Sequence, residues 1–223
     1  MSSKVQDLTS ECQQATSSPH GILYVVSSPS GGGKGTLIRR VLDVVPDLSY
    51  SVSYTTRAPR NGEVDGREYF FVDRERFGEM IASDEFLEWA NVHGHLYGTA
   101  RQQVKDEIER GKDIVLEVDV QGAASVKRLG LDSVSVFILP PSLETLRERL
   151  LTRGTDSAEE LRVRLANAPA ELRQYTNFDY VIFNDQVERA SAQLAAIVSA
   201  ERARRSRQEA LIKEVMQKFN HMK

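Results

Sequence analysis

The sequence predicts an α/β protein built on a central parallel sheet flanked by helices, and three observations predict it. Ile22–Val26 is a β-branched and aromatic run with no polar alternation, and Ile114–Val120, Ser133–Leu139 and the shorter Val181–Phe183 look like further buried strands. Strands buried on both faces need that composition, and parallel sheets supply the setting. Between these runs lie helical patterns of about one to two dozen residues, the spacing of strand–helix–strand units. A glycine-rich turn, Ser27-Ser28-Pro29-Ser30-Gly31-Gly32-Gly33-Lys34-Gly35-Thr36, joins the first strand to the first helix.

Taken in order, residues 1–20 are polar and rich in Ser, Thr and Gln, and are read as a mobile tail. Leu37, Ile38, Val41, Leu42 and Val45 repeat at helical spacing after the turn. Residues 54–98 break the rhythm with Pro59, Gly62, Gly66, Gly94 and Gly98 and short aromatic strands, Tyr69–Val72 and Phe86–Val92, around a helix at Arg74–Ala82. They read as a small insertion on the sheet. Helices are expected at Thr99–Arg110, Gln121–Leu129, Ser142–Leu151 and Ala158–Tyr175, and one long helix over Val187–Phe219. The Arg202, Arg204, Arg205 and Arg207 cluster reads as a solvated helix face. The core is therefore assigned to 21–53, 99–139 and 168–223.

Composition narrows the function. With 223 residues the chain buries roughly 70% of its extended surface without needing a disulfide or structural metal. The 29 basic and 32 acidic residues give a net charge of −3, which argues against a nucleic-acid coat. The longest apolar stretches are near five residues, against about 20 for a membrane span. The N-terminus lacks a signal-peptide pattern, so a cytoplasmic protein is expected. Cys12 is the one cysteine, which excludes an internal disulfide and a cysteine-cluster zinc site. His93-Gly94-His95 has no accompanying ligand set and reads as loop.

The glycine-rich turn sits where a phosphate loop must lie. Glycines let backbone N–H groups turn toward phosphate oxygens, the helix N-terminus adds its dipole, and Lys34 can reach the β- and γ-phosphates. The common pattern places glycine at Ser28 and a Mg²⁺-ligating hydroxyl at Gly35, and this chain has neither. Thr36 lies about 100° further round the helix. Downstream, Arg57 and Arg60 stand three apart beside Pro59 and suit a phosphate clamp. Glu88 suits the paired N–H groups of a guanine edge.

The ordered motifs Ser53-x-x-x-Arg57-x-x-Arg60-x-Gly62-Glu63, Gly66-x-x-Tyr69-x-Phe71, Phe86-Leu87-Glu88, Tyr97-Gly98, Asp119-x-Gln121-Gly122, Pro140-Pro141-Ser142, Arg149-x-x-x-Arg153-Gly154 and Asn184-Asp185 resemble guanylate kinase from Gly21 to about Ala203. The resemblance implies a P-loop kinase with a mixed-sheet GMP-binding insertion and a helical lid at 140–167. It implies transfer of a phosphoryl group from ATP to GMP or dGMP, with Mg²⁺. By that resemblance Ser30, Gly31, Gly32, Gly33, Lys34, Gly35, Thr36 and Asn184 bind ATP, with Asn184 near the adenine. Ser53, Glu88 and Thr99 hold the guanine, while Arg57, Arg60, Tyr69 and Tyr97 hold the GMP phosphate. Asp119 lies by GMP and the reacting phosphates. Lys34, Arg57, Arg153 and Arg164 serve the transfer. Mg²⁺ is held by ATP phosphates and water, with Glu117 and Thr36 as candidate protein ligands. Glu117 stands where the family usually has aspartate. Two other readings stay open from sequence: a guanylate-kinase-like module that binds phosphopeptides without chemistry, and a related kinase acting on a sugar phosphate. The oligomeric state is open as well.

Overall fold

The computed structural model describes residues 20–153 and 158–220. The expected tail and Cys12 lie outside the described residues. So does the side chain of Arg153.

Strands β1 (Leu23–Ser27), β2 (Leu48–Tyr50), β7 (Asp113–Glu117), β8 (Ser133–Leu139) and β9 (Tyr180–Phe183) form a sheet in the order β2-β7-β1-β8-β9. All its pairings are parallel. β1 lies at the centre and feeds alternate residues into two cores. Tyr24 and Val26 pack with Leu37, Ile38 and Val41 of α1 (Lys34–Leu42) and Leu194 and Val198 of α7 (Val187–Arg202). Leu23 and Val25 pack on the other side with Val104 of α3 (Arg101–Glu109) and Val126 of α4 (Val120–Arg128). A strand covered on both faces has no polar face to show, which is why the sequence does not alternate. Each fully buried Leu, Ile or Val contributes about 1.5–3 kcal/mol.

A second, mixed sheet has the order β4-β3-β6-β5, from β3 (Tyr54–Thr55), β4 (Phe70–Phe71), β5 (Phe86–Val92) and β6 (His95–Ala100). Helix α2 (Arg74–Ala82) seals it with Phe77 and Met80 against Phe86. The β5–β6 hairpin turns at His93 and Gly94, both with positive φ (52° and 84°), the backbone that suits a two-residue hairpin. Helices α5 (Leu143–Arg153) and α6 (Ala158–Leu172) share a small core of Leu146, Leu150 and Ala168, and α8 (Glu209–Asn220) ends the described chain.

Several elements depart from the sequence expectation. β2 and β3, of three and two residues, leave no readable period. Thr99 belongs to β6 and the following helix starts at Arg101. The run at 114–120 stops being strand at Glu117, because Asp119 is the N-cap of α4 and accepts a hydrogen bond from Gly122 N at 2.8 Å. Glu117 therefore ends the strand, and Asp119 belongs to the start of the helix. The long C-terminal helix breaks after Arg202. Arg202 donates to Asp113 and to the Pro46 carbonyl, and Arg204 pairs with Glu201. Arg207 pairs with Asp132. Glu201 is buried, so Arg202 and Arg207 tie this corner to the core, while Arg204 and Arg205 stay on the solvated face as expected, Arg205 paired with Glu209.

Candidate active site

The phosphate loop is shaped by its glycines. Gly31 and Gly33 have φ of 85° and 93°, a region costly for other residues. Gly33 is the N-cap of α1 and offers no side-chain cap. The first-turn N–H groups of α1 are thus left for an anion, which the helix dipole also favours. Lys34 folds back over the loop, its Nζ 3.2 Å from Ser28 Oγ and 3.5 Å from the Ser28 carbonyl oxygen.

The loop is braced from distant parts of the chain. Asn184 Nδ2 donates to the Gly32 carbonyl at 2.8 Å. Arg149 donates to the same carbonyl at 3.4 Å and to the Asn184 carbonyl at 2.7 Å. Burial lowers the Arg149 pKa. From α6, Arg164 donates to Ser30 Oγ at 2.7 Å, and Glu171 accepts from Ser30 N at 3.1 Å. Leu146 and Leu150 of α5 lie against Gly31, where a Cβ would meet Leu150 at 2.9 Å. The helical pair at 143–172 therefore rests directly on the loop.

Gly35 faces a carboxylate. A Cβ there would lie 3.2 Å from Glu117 Oε2, and the same oxygen accepts from Tyr50 OH at 3.3 Å. Burial, first, and the neighbouring Glu117 charge push the Tyr50 hydroxyl far above its ordinary value. Among the described residues no group of three or more His, Cys, Asp or Glu is arranged to hold a metal unaided.

Across the cleft, Glu63 organises the arginines. Both of its oxygens accept from Arg57 Nη2 at 2.9 Å, and Oε2 also accepts from Arg60 N at 2.8 Å. The Arg57 guanidinium lies 5.4 Å from the centre of the Tyr69 ring and 5.9 Å from that of Phe71. Burial works against its charge, but Glu63 and Tyr97 together outweigh it, so its pKa is raised. Tyr69 and Tyr97 meet edge to face at 5.7 Å.

Glu88 stands on β5 opposite Thr99 of β6, and its Oε1 accepts from Thr99 Oγ1 at 2.6 Å. Both are buried. Burial pushes the Glu88 carboxyl up to about 7; the Thr99 bond works against this and the Asp119 charge adds to it.

Two cavities meet over the loop. One is lined by Ser53, Arg57, Arg60, Glu88, Tyr97 and Asp119, with Ser30 and Arg164 at its edge. The other is lined by Gly32, Gly33, Gly35, Thr36, Arg149 and Asn184. Gly31, Lys34, Tyr69 and Glu117 line both. This geometry brings together every residue expected from sequence except Thr99, which is buried behind Glu88, and Arg153, whose side chain is not described.

A family model described as guanylate kinase matches residues 20–201. The chain belongs to the guanylate kinase family. The guanylate kinase of Symbiobacterium thermophilum is 48% identical over 198 residues, covering 89% of this chain and 94% of that one. That of Dechloromonas aromatica is 51% identical over 180 residues, covering 81% and 89%. The crystal structure of guanylate kinase from Anaplasma phagocytophilum superposes with a TM-score of 0.72 at 34% identity, covering 86% of this chain and 94% of that one. Among the described residues no helix is long and apolar enough to cross a membrane.

Sequence reasoning assigned no role to Glu63, Arg149 or Glu171. Glu63 and Arg149 lie inside family motifs, so a signal existed, but their partners are set by the fold. Glu171 carries no sequence signal.

Proposed function

We propose that this member of the guanylate kinase family transfers the γ-phosphoryl group of ATP to GMP, giving ADP and GDP. The observation that carries the reading is the pair of cavities sharing Lys34 over one phosphate loop. A phosphate donor on one side and a phosphate acceptor on the other would meet at that lysine. The bond between the γ-phosphorus and its bridging oxygen breaks as an oxygen of the GMP phosphate bonds to that phosphorus. Such transfer asks the protein chiefly for positioning and charge stabilisation.

On the donor side the uncapped start of α1 and Lys34 hold the ATP phosphates. Asn184 Oδ1 is buried without a hydrogen-bond partner, an acceptor suited to an adenine amino group. On the acceptor side Arg57, Arg60, Tyr69 and Tyr97 hold the GMP phosphate. Ser53 and Glu88 hold the guanine, Thr99 supports it through its bond to the Glu88 carboxylate, and Asp119 borders the reacting phosphates. dGMP, which carries the same base and phosphate, is expected as a second acceptor. Arg164 and Arg153, on the helices at 140–167, act on the moving charge as that lid closes over the insertion at 54–98 and excludes water. A binding-only module has no need of the braced loop, Lys34 or Arg164.

Mg²⁺ fits the donor side as a companion of the ATP phosphates, where it supplies charge neutralisation. Glu117 is the carboxylate nearest Gly35, and Thr36 is the nearest hydroxyl in sequence. Gly35→Ser is expected to lower the Mg²⁺ concentration for half-maximal activity by about ten-fold, and Gly35→Ala to leave it unchanged. Serine and alanine both gain helix propensity of up to about 1 kcal/mol, but each crowds Glu117, so little thermal stabilisation is expected. Identical Mg²⁺ titration curves for the two variants would show that a hydroxyl at this position has no metal role.

GMP binding should also depend on pH. Guanine needs the Glu88 carboxylate ionised, and its pKa near 7 lies above the unfolded value, so the protein itself favours the protonated form at low pH. GMP affinity should therefore rise as pH increases through 7 and level off above it. It should be about ten-fold weaker at one unit below the midpoint. ATP affinity should not follow that curve. Separate titrations of each nucleotide between pH 5.5 and 8.5 would check it, and a flat GMP profile would remove Glu88 from the site. A coupled assay with ATP and GMP tests the activity itself, and ATP hydrolysis indifferent to GMP would overturn it.

A further inference from the structure

Gly122 lies in the first turn of α4 and is buried. Its backbone is helical, without the positive φ that calls for glycine. Alanine would form this helix better, so the reason for glycine lies in what surrounds it. A Cβ on residue 122 would lie 2.6 Å from Glu88 Oε2, 3.0 Å from Val118 Cβ and 3.3 Å from Glu88 Cδ. The nearest atom is thus the carboxylate oxygen.

Neither partner can easily move. Glu88 is held at its other oxygen by Thr99. The β5–β6 ladder also carries an extra residue here: Phe86 faces Ala100 while Glu88 faces Thr99, so Leu87 is a bulge. Bulges re-aim the side chains beside them, and they recur next to active sites. On the other side, the bond from Gly122 N to Asp119 Oδ1 fixes the start of α4. The carboxylate is therefore caught between a threonine and a bare stretch of helix.

We infer that Gly122 is a specificity-determining positioning residue, because the space of its missing side chain is where the Glu88 carboxylate sits to read the base. The inference rests on the proposal that Glu88 reads guanine. A methyl group at residue 122 turns the carboxylate away from Thr99 and misplaces both acceptor oxygens. Misplacement by about 1 Å can cost 10²-fold in rate.

The test is steady-state kinetics of Gly122→Ala, Glu88→Ala and the double variant, with GMP and with IMP. IMP lacks the 2-amino group and makes one bond fewer to the carboxylate. Gly122→Ala is expected to lose about 10²-fold in kcat/KM for GMP, to leave the KM for ATP unchanged, and to bring GMP and IMP toward parity. In the Glu88→Ala background the same change should add nothing, since it acts through that carboxylate. Equal losses on GMP and IMP, additive losses in the double variant, or no loss would each overturn the inference. Should Gly122→Ala not fold, Glu88→Ala/Gly122→Ala decides. Recovery of the fold identifies the carboxylate as the clash and supports the inference. Failure to recover identifies Val118 and overturns it. A wild-type enzyme that uses AMP as well as GMP would sink the reading of Glu88 itself. A GMP-selective wild type indifferent to Gly122→Ala would sink only this inference.

Discussion

GMP is expected to exceed AMP by about 10⁴-fold in kcat/KM, because a site built around buried polar groups rejects a ligand that leaves them unpaired. Guanine presents two N–H donors on the edge that faces Glu88, and a carboxylate offers two acceptors. Adenine presents an amino donor beside a ring acceptor, which sets lone pair against lone pair. Glu88→Gln replaces one acceptor by an amide donor and so changes both terms. It should weaken GMP by about 1.5–3 kcal/mol, the worth of a charged hydrogen bond. It should also remove part of the repulsion toward adenine. The gap between the two nucleotides is then expected to shrink from both ends, and the rise in GMP binding near pH 7 to be lost, leaving only the titration of the nucleotide phosphate at about pH 6. Steady-state kinetics with GMP, IMP and AMP on both proteins would measure it. A Glu88→Gln enzyme with wild-type preference would place base recognition elsewhere in the cleft.

Arg57→Met is expected to have two separable effects. The first is loss of GMP affinity by about 10–150-fold, from removing a charged bond to the phosphate worth about 1.5–3 kcal/mol. The second is loss of stability. The side chains of Arg57 and Glu63 are 10% and 15% exposed, and their bidentate pair also organises the Arg60 backbone. Removing one partner from a buried pair costs up to about 3–5 kcal/mol, because the other charge is left uncompensated. Arg57→Met/Glu63→Gln removes both charges. It should recover most of the thermal stability while leaving GMP binding impaired. Calorimetric titration of each nucleotide, beside thermal unfolding, would check the pair of outcomes. Normal GMP binding with an ATP defect would put Arg57 on the donor side.

What the sequence made legible follows physical rules. β1 and the phosphate loop could be read because a doubly buried strand cannot alternate and because Gly31–Gly33 have few other uses before a helix. The arginine pair at 57 and 60 was visible from spacing. Contacts were not. Arg149 and Gly32 are 117 residues apart, and nothing local in either announces the other. Thr99 looked like a helix start because the edge of β6 runs straight into α3. The break after Arg202 was hidden because helical periodicity continues through it, while the ties of Arg202 and Arg207 to the core decide the path. Nothing local to Gly122 points to Glu88, since only the fold brings the two together.

The central position of β1 has a consequence for how the enzyme is made. Ile22 N is bonded to a side chain 91 residues away, and the phosphate loop that follows β1 is braced at Gly32 from 152 residues away. Contacts of such separation must wait for long loops to close, which slows folding relative to helical proteins of similar size. On the ribosome the loop emerges early, yet its strand gains both neighbours only once Leu139 is out, and its brace only at Asn184. No contiguous N-terminal fragment that stops short of Asn184 contains the finished loop, so a nascent chain carries the residues of the loop long before the contact that braces it can form.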